Sequence, residues 1–150
     1  MLVHVGLQAR MVRMHASLIG HGGLMGYSCG FDANWGRDVG YGVPARCDHP
    51  GCGADIHRGL AYVCGGDVFG GEHGCGLYFC YDHIGYLDDM PQRCDRCIGG
   101  MKPFAPTEDV PDWLRHKLSD SSWAEWRASH ADEVAIMTER LAALTGALGG

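Results

Sequence analysis

Seven of the eight cysteines of this chain fall between positions 47 and 97, and together with one histidine they form short, regular pairs. In chain order the eight candidate ligands are Cys47, Cys52, Cys64, Cys75, Cys80, His83, Cys94 and Cys97. Four residues separate Cys47 from Cys52, two separate Cys80 from His83, and two separate Cys94 from Cys97. Cys64 and Cys75 form a wider pair with ten residues between them. A close pair lets one turn present two donors to the same ion, and tetrahedral Zn²⁺ takes four thiolate or imidazole donors. Eight donors therefore make two structural zinc sites. Gly53, Gly65 and Gly76 each follow a ligand directly. Glycine takes a positive φ without penalty, which suits a tight turn aiming amide N–H groups at a thiolate.

An even number of cysteines also fits a disulfide framework. That reading needs a secretory route. The first 24 residues carry Arg10, Arg13 and three histidines, with no run of seven apolar residues. No stretch has the length of a membrane-spanning helix. The chain is therefore expected in a reducing cytoplasm, where such cysteine patterns mean metal more often than disulfide. Methionines recur at 1, 11, 14 and 25, and the composition before Met25 suggests a natural start downstream of residue 1. The remaining Cys29 reads as a small hydrophobe or free thiol. His4, His15, His21, His49, His57, His116 and His130 read as solvated or structural.

Composition supports a metal-stapled fold. Glycine accounts for 24 of 150 residues; it is costly to order and packs little surface. Small domains with too little apolar burial recruit metals or disulfides. The formal charge is −6, and seven bound thiolates with two Zn²⁺ would take it to −9. Between Arg46 and Ile98 there are four Arg and no Lys against eight acids. A general nucleic-acid binder wants the opposite balance. Local contact through Arg93 and Arg96, beside the last ligand pair, is the alternative function to carry forward.

Four segments are expected. Residues 1–45 form a Gly-rich N-terminal arm, with a short strand and turns between Phe31 and Pro44. Residues 46–98 form the two-zinc domain. Residues 99–112 form a linker broken by Pro103, Pro106 and Pro111. Residues 113–150 form C-terminal helices. Ser122 and Glu125 have capping-box spacing. Trp123, Trp126, His130, Val134, Met137, Leu141, Leu144 and Leu148 recur at helical steps as one continuous stripe. Its first half is expected to pack on its own domain. Its second half is expected to meet a partner, and residues 123–148 are a candidate homodimer seam.

The run Cys47-x4-Cys52, then Cys64, then Cys75-Gly-Leu-Tyr-Phe-Cys80-Tyr-Asp-His83-Ile is similar to the AN-one-type zinc finger. The similarity covers about 50 residues and is most specific between Cys75 and His83. It implies a RING-like, cross-brace arrangement in which the first and third pairs share one ion and the second and fourth share the other. Cys47, Cys52, Cys80 and His83 would then hold site 1, and Cys64, Cys75, Cys94 and Cys97 site 2. The chain departs from the family in its wide second pair, where residues 63–75 read as an inserted hairpin, and in ending on Cys94-Asp-Arg-Cys97. His73 is an alternative to Cys64 as a ligand. More broadly, Trp35–Cys47, Asp55–Cys64 and the later Trp113, Trp123 and Trp126-Arg127 resemble small proteins of actinobacterial phages, a resemblance that implies no established activity.

The expected fold is a small α+β, zinc-stabilised, treble-clef or cross-brace module with short β-hairpins and a C-terminal α-helical segment. Sites with four protein ligands leave no open position, which makes them structural. The His-x-Glu of zinc deaminases and the His-Glu-x-x-His of metalloproteases are missing. The expected function is therefore a noncatalytic zinc-binding adaptor for another protein, a host protein if the origin is a phage. A ubiquitin-ligase-like or other enzymatic role ranks last.

Overall fold

The computed structural model describes residues 29–67 and 72–147. The expectations about residues 1–24, the tip of the Cys64–Cys75 insertion and Leu148 lie outside the described residues, as does the side chain of Cys29.

The architecture is a small α+β fold of three two-stranded antiparallel hairpins followed by helices. The first hairpin pairs β1 (Cys29–Asp32) with β2 (Arg37–Gly40), and Asp32 faces Arg37 at its closed end. Asp32 also builds the turn: its side chain accepts the Asn34 N–H at 2.8 Å and its carbonyl accepts the Gly36 N–H at 2.8 Å. β3 (Pro44–Arg46) pairs with β4 (Asp55–His57), and the loop between them carries Cys47 and Cys52. β5 (Ile84–Gly85) pairs with β6 (Arg93–Cys94), and β6 runs directly into the one-turn helix α1 (Asp95–Ile98). A part of the segment expected as an arm is thus a formed hairpin.

The strands are too short for a continuous apolar layer, and the core is built around the cysteines instead. Cys47, Cys64 and Cys94 are buried in one cluster with Leu77, Phe79 and Ile84. A second, smaller cluster joins Val39, Val63 and Tyr78. The segment Leu77–Tyr78–Phe79 belongs to both clusters and is fully buried.

Residues 99–110 contain no helix or strand, yet they do not behave as a free linker. The Thr107 hydroxyl and N–H both donate to Asp48 at 2.7 Å, and Asp109 pairs with the buried Arg58 at 2.6 Å. Phe104 packs against the main core cluster.

The C-terminal helices differ from the single stripe in two respects. α2 (Pro111–Ser119) starts on Pro111, which fits the first helical turn because its missing N–H has no partner to lose there. Asp120, not Ser122, caps the next turn: its carboxylate accepts the Ser122 N–H at 2.9 Å. The helical path also breaks between α3 (Ala124–Ser129) and α4 (Ala131–Ala147). At the break the Ser129 hydroxyl donates to the carbonyls of Glu125 and Trp126, and His130 leaves helical geometry at φ −130° and ψ 49°. Side-chain hydrogen bonds to the last carbonyls compete with the helix ladder. α4 then folds back along α2. Val134, Met137, Leu141 and Leu144 are half-buried within the chain itself, while Ile136 is exposed.

Lys117 ties this subdomain to the first hairpin. Its buried ammonium donates to Asp38 at 2.8 Å and lies 3.8 Å from the Trp126 ring centroid and 4.6 Å from that of Trp123. The Trp113 indole N–H donates to the same Asp38 oxygen at 3.0 Å. A desolvated ammonium is costly without compensation; here a carboxylate and two aromatic faces supply it. Among the described residues, no helix is long and apolar enough to cross a membrane.

Candidate metal centres

The fold gathers the eight candidate ligands into two groups. Cys47, Cys52, Cys80 and His83 form one, and Cys64, Cys75, Cys94 and Cys97 the other; within each, the four donor atoms lie within 4.8 Å of one another. The pairs alternate along the chain between the two groups. Cys64, which is fully buried, stands in the second group; His73 is exposed and outside both.

The spacing of the donors discriminates between a disulfide and an ion. Cys52 Sγ lies 3.8 Å from Cys80 Sγ, and Cys75 Sγ lies 3.9 Å from Cys94 Sγ. A disulfide would hold two sulfurs at about 2.05 Å. A tetrahedron with metal–sulfur bonds of about 2.3 Å has sulfur–sulfur edges of about 3.8 Å. His83 turns Nδ1 toward the group, 3.2 Å from Cys80 Sγ and 3.7 Å from Cys47 Sγ. All seven cysteines described with their side chains are free thiols.

The backbone prepares these sulfurs for negative charge. Cys47 Sγ accepts the N–H of Cys80 at 3.3 Å and of His49 at 3.5 Å; Cys64 Sγ accepts the N–H of Cys94 at 3.2 Å. Gly53, Gly65 and Gly76 have φ of +68°, +93° and +74°, so each glycine that follows a ligand does adopt the left-handed turn. Without a cation Cys64, Cys75 and Cys94 do not all ionise together. The S–H groups of Cys75 and Cys94 stabilise the Cys64 thiolate and hold it down at about 2, and in return Cys94 is pushed up to about 12. Cys75 is driven up as well, first by its hydrogen bond to Cys64 and then by that to Cys94. In the first group burial pushes Cys47 up to about 12, while the Ala54 N–H pulls Cys52 down. A bound divalent cation would reverse this frustration, because it would stabilise every thiolate at once.

Ligand positions are locked by neighbours. Leu77 carbonyl accepts the Cys64 N–H at 2.8 Å, and Tyr78 carbonyl accepts the Asp48 N–H at 2.8 Å, so one short segment bonds a member of the second group and the residue next to Cys47 of the first. His49 stands outside both groups: its ring stacks on His83 at 3.9 Å between centroids. His57 sits between Tyr41 and Tyr62, His116 stacks on Trp113, and His130 stacks on Trp126. The Trp35 indole N–H donates to the Cys75 carbonyl at 2.7 Å.

Spacing offered no signal for the charged residues behind the ligands. Asp48, next to Cys47, is buried and accepts from both terminal guanidinium nitrogens of Arg37, Nη1 and Nη2. Arg58 is fully buried and bonds the Asp38 carbonyl and the Asp109 carboxylate. Charged residues read as surface in a sequence, because burial of an unpaired charge is rare; only the fold shows that each has its partner.

Gly65 is the tightest point of the second group. A Cβ at this position would stand 2.6 Å from the Gly74 nitrogen. Gly65→Ala is expected to cost about 1–2 kcal/mol from its φ alone, with the backbone clash added. The check is a chelator competition, in which the variant should surrender its ions at a lower chelator concentration than the native chain does. Equal retention of both ions would remove this role for Gly65.

Comparison of the chain with protein-family profiles, with curated proteins and with solved structures returns no match.

Proposed function

We propose that this chain is a noncatalytic zinc protein: two structural Zn²⁺ ions brace a small module that serves as an adaptor for another protein. The observation that carries the reading is the pair of alternating four-donor groups with tetrahedral edges. Tetrahedral sulfur-rich sets select zinc or iron–sulfur centres, and a set of three cysteines and one histidine is a zinc set. The second group is supported as a treble clef by its parts: the Gly65 turn beside Cys64, the β5–β6 hairpin bringing Cys94, and α1 bringing Cys97. Four protein donors per ion leave no place for a reacting water or substrate.

Support for an adaptor comes from the surface beside the first group. Tyr81 is 79% and Tyr86 63% exposed, with ring centroids 6.5 Å apart. Exposed tyrosines are favoured at protein interfaces, where an apolar body and a polar tip are both useful.

Native mass spectrometry with elemental analysis tests the metal reading. Two zinc ions per chain are expected. A content near zero, or iron in their place, overturns it.

A further inference from the structure

We propose that the cleft lined by Trp35, Arg96, Lys102, Phe104 and Pro106 is a docking site for an acidic, extended segment of a partner protein carrying an apolar anchor. This rests on the adaptor reading and gives its partner a chemistry. The cleft has a volume of about 540 Å³, and its lining contains two cations and no carboxylate, in a chain whose formal charge is −6. Neither Arg96 nor Lys102 has a carboxylate partner among the described residues. The Arg96 guanidinium lies over the Phe104 ring, 4.7 Å from its centroid. An arginine stacked in this way has lost part of its freedom before a ligand arrives, so pairing it costs less.

The walls are held by the elements around the two metal groups. Arg96 sits on α1 between Cys94 and Cys97. Trp35 is pinned to the Cys75 carbonyl. Phe104 rests against Phe79 and His49, with centroids 6.1 Å and 5.2 Å away. Arg96 and Trp35 are thus tied to the second group, and Phe104 leans on residues beside the first.

The shape of the lining favours a peptide over a nucleic acid. Pro103, Ala105 and Pro106 add apolar surface to Trp35 and Phe104, and the cations are confined to two side chains. A nucleic-acid strand brings a phosphate with every nucleotide and gains affinity by pairing many of them. Here it would meet two cations on an acidic chain. A peptide with one apolar side chain between carboxylates matches both the apolar lining and the two cations.

The test uses the full zinc-loaded chain and nuclear magnetic resonance. The probes are a short peptide of alternating Glu and Leu, its counterpart with Gln for Glu, and oligothymidylate. The Glu peptide is expected to shift the Trp35 indole and the Arg96 and Lys102 signals saturably, and the shifts should weaken with salt. Lys102→Glu is expected to lower the affinity about tenfold while zinc content and the remaining spectrum stay unchanged. Arg96→Gln is a second variant; it removes charge at the cleft while keeping a long side chain. The proposal falls if the Glu peptide leaves these signals in place, if the Gln peptide acts equally, or if only oligothymidylate binds. In each of those cases two zincs per chain would leave the zinc reading standing. A chain without zinc would remove that reading first.

Discussion

Cys64→Ser is expected to lose both metal ions, not one. The substitution directly removes one donor of the second group, a fully buried sulfur that accepts the Cys94 N–H. A structural zinc contributes on the order of 10–16 kcal/mol of folding free energy in small modules. Whole domains retain only about 5–15 kcal/mol of net stability. Losing one ion is therefore comparable to the entire margin. The first group cannot survive alone, because Cys75 of the second group and Cys80 of the first flank the same buried segment. That segment, Leu77–Tyr78–Phe79, bonds Cys64 on one side and Asp48 on the other. Native mass spectrometry should find no bound zinc in the variant and two ions in the native chain. His73→Ala is the control; its side chain is exposed and outside both groups, so it should keep two ions. A Cys64→Ser chain that keeps one ion, with His83 still in a folded environment, would show that the two halves fold independently.

The candidate donors were legible because structural zinc sites draw mainly on Cys and His, and because turns impose short spacing. Gly53, Gly65 and Gly76 were legible for a related reason: a residue without Cβ directly after a ligand marks a left-handed turn. The alternation of pairs was not a property of spacing; it came from the resemblance around Cys75–His83, since eight donors can be divided in other ways. The helix break at His130 was hidden because an apolar period passes through it undisturbed. The period reports which side faces inward, not whether the backbone between Ser129 and Ala131 stays helical. Residues 99–110 looked like a linker because prolines and polar residues prevent regular elements there. Their role is to deliver Thr107 and Asp109 to buried charges, which no local pattern encodes. Asp48 shows this most clearly. In sequence it is one acid among many; in the fold it joins β2, the ligand loop and residue 107.

Asp48→Ala is expected to destabilise the zinc-loaded chain by about 3–5 kcal/mol, the usual cost of removing one partner from a buried ion pair. The carboxylate accepts from both terminal Arg37 guanidinium nitrogens, the Tyr78 N–H, and the N–H and hydroxyl of Thr107. Without it Arg37, 6% exposed, keeps among the described residues the Thr107 carbonyl at 3.2 Å and the Tyr78 ring 5.7 Å away. Denaturant unfolding with zinc in excess measures the loss. Asp48→Leu with Arg37→Met should recover most of it, because an apolar pair leaves no stranded charge. If the double variant is as unstable as Asp48→Ala, the stranded charge is not the cause. The pair also has a pH signature. Burial pushes the Asp48 carboxyl up, but the Arg37 hydrogen bonds and charge, with the Tyr78 and Thr107 N–H groups, outweigh it and hold the carboxyl below its ordinary range. Its folded pKa thus lies below its unfolded one. The stabilisation is complete above the unfolded value of about 3.9 and fades only as pH falls through the lower folded value. The stability gap between the native chain and Asp48→Asn should therefore stay constant from about pH 8 to pH 5. A gap that closes within that window would mean that the buried carboxyl takes up its proton early, and that Arg37 does not hold it ionised.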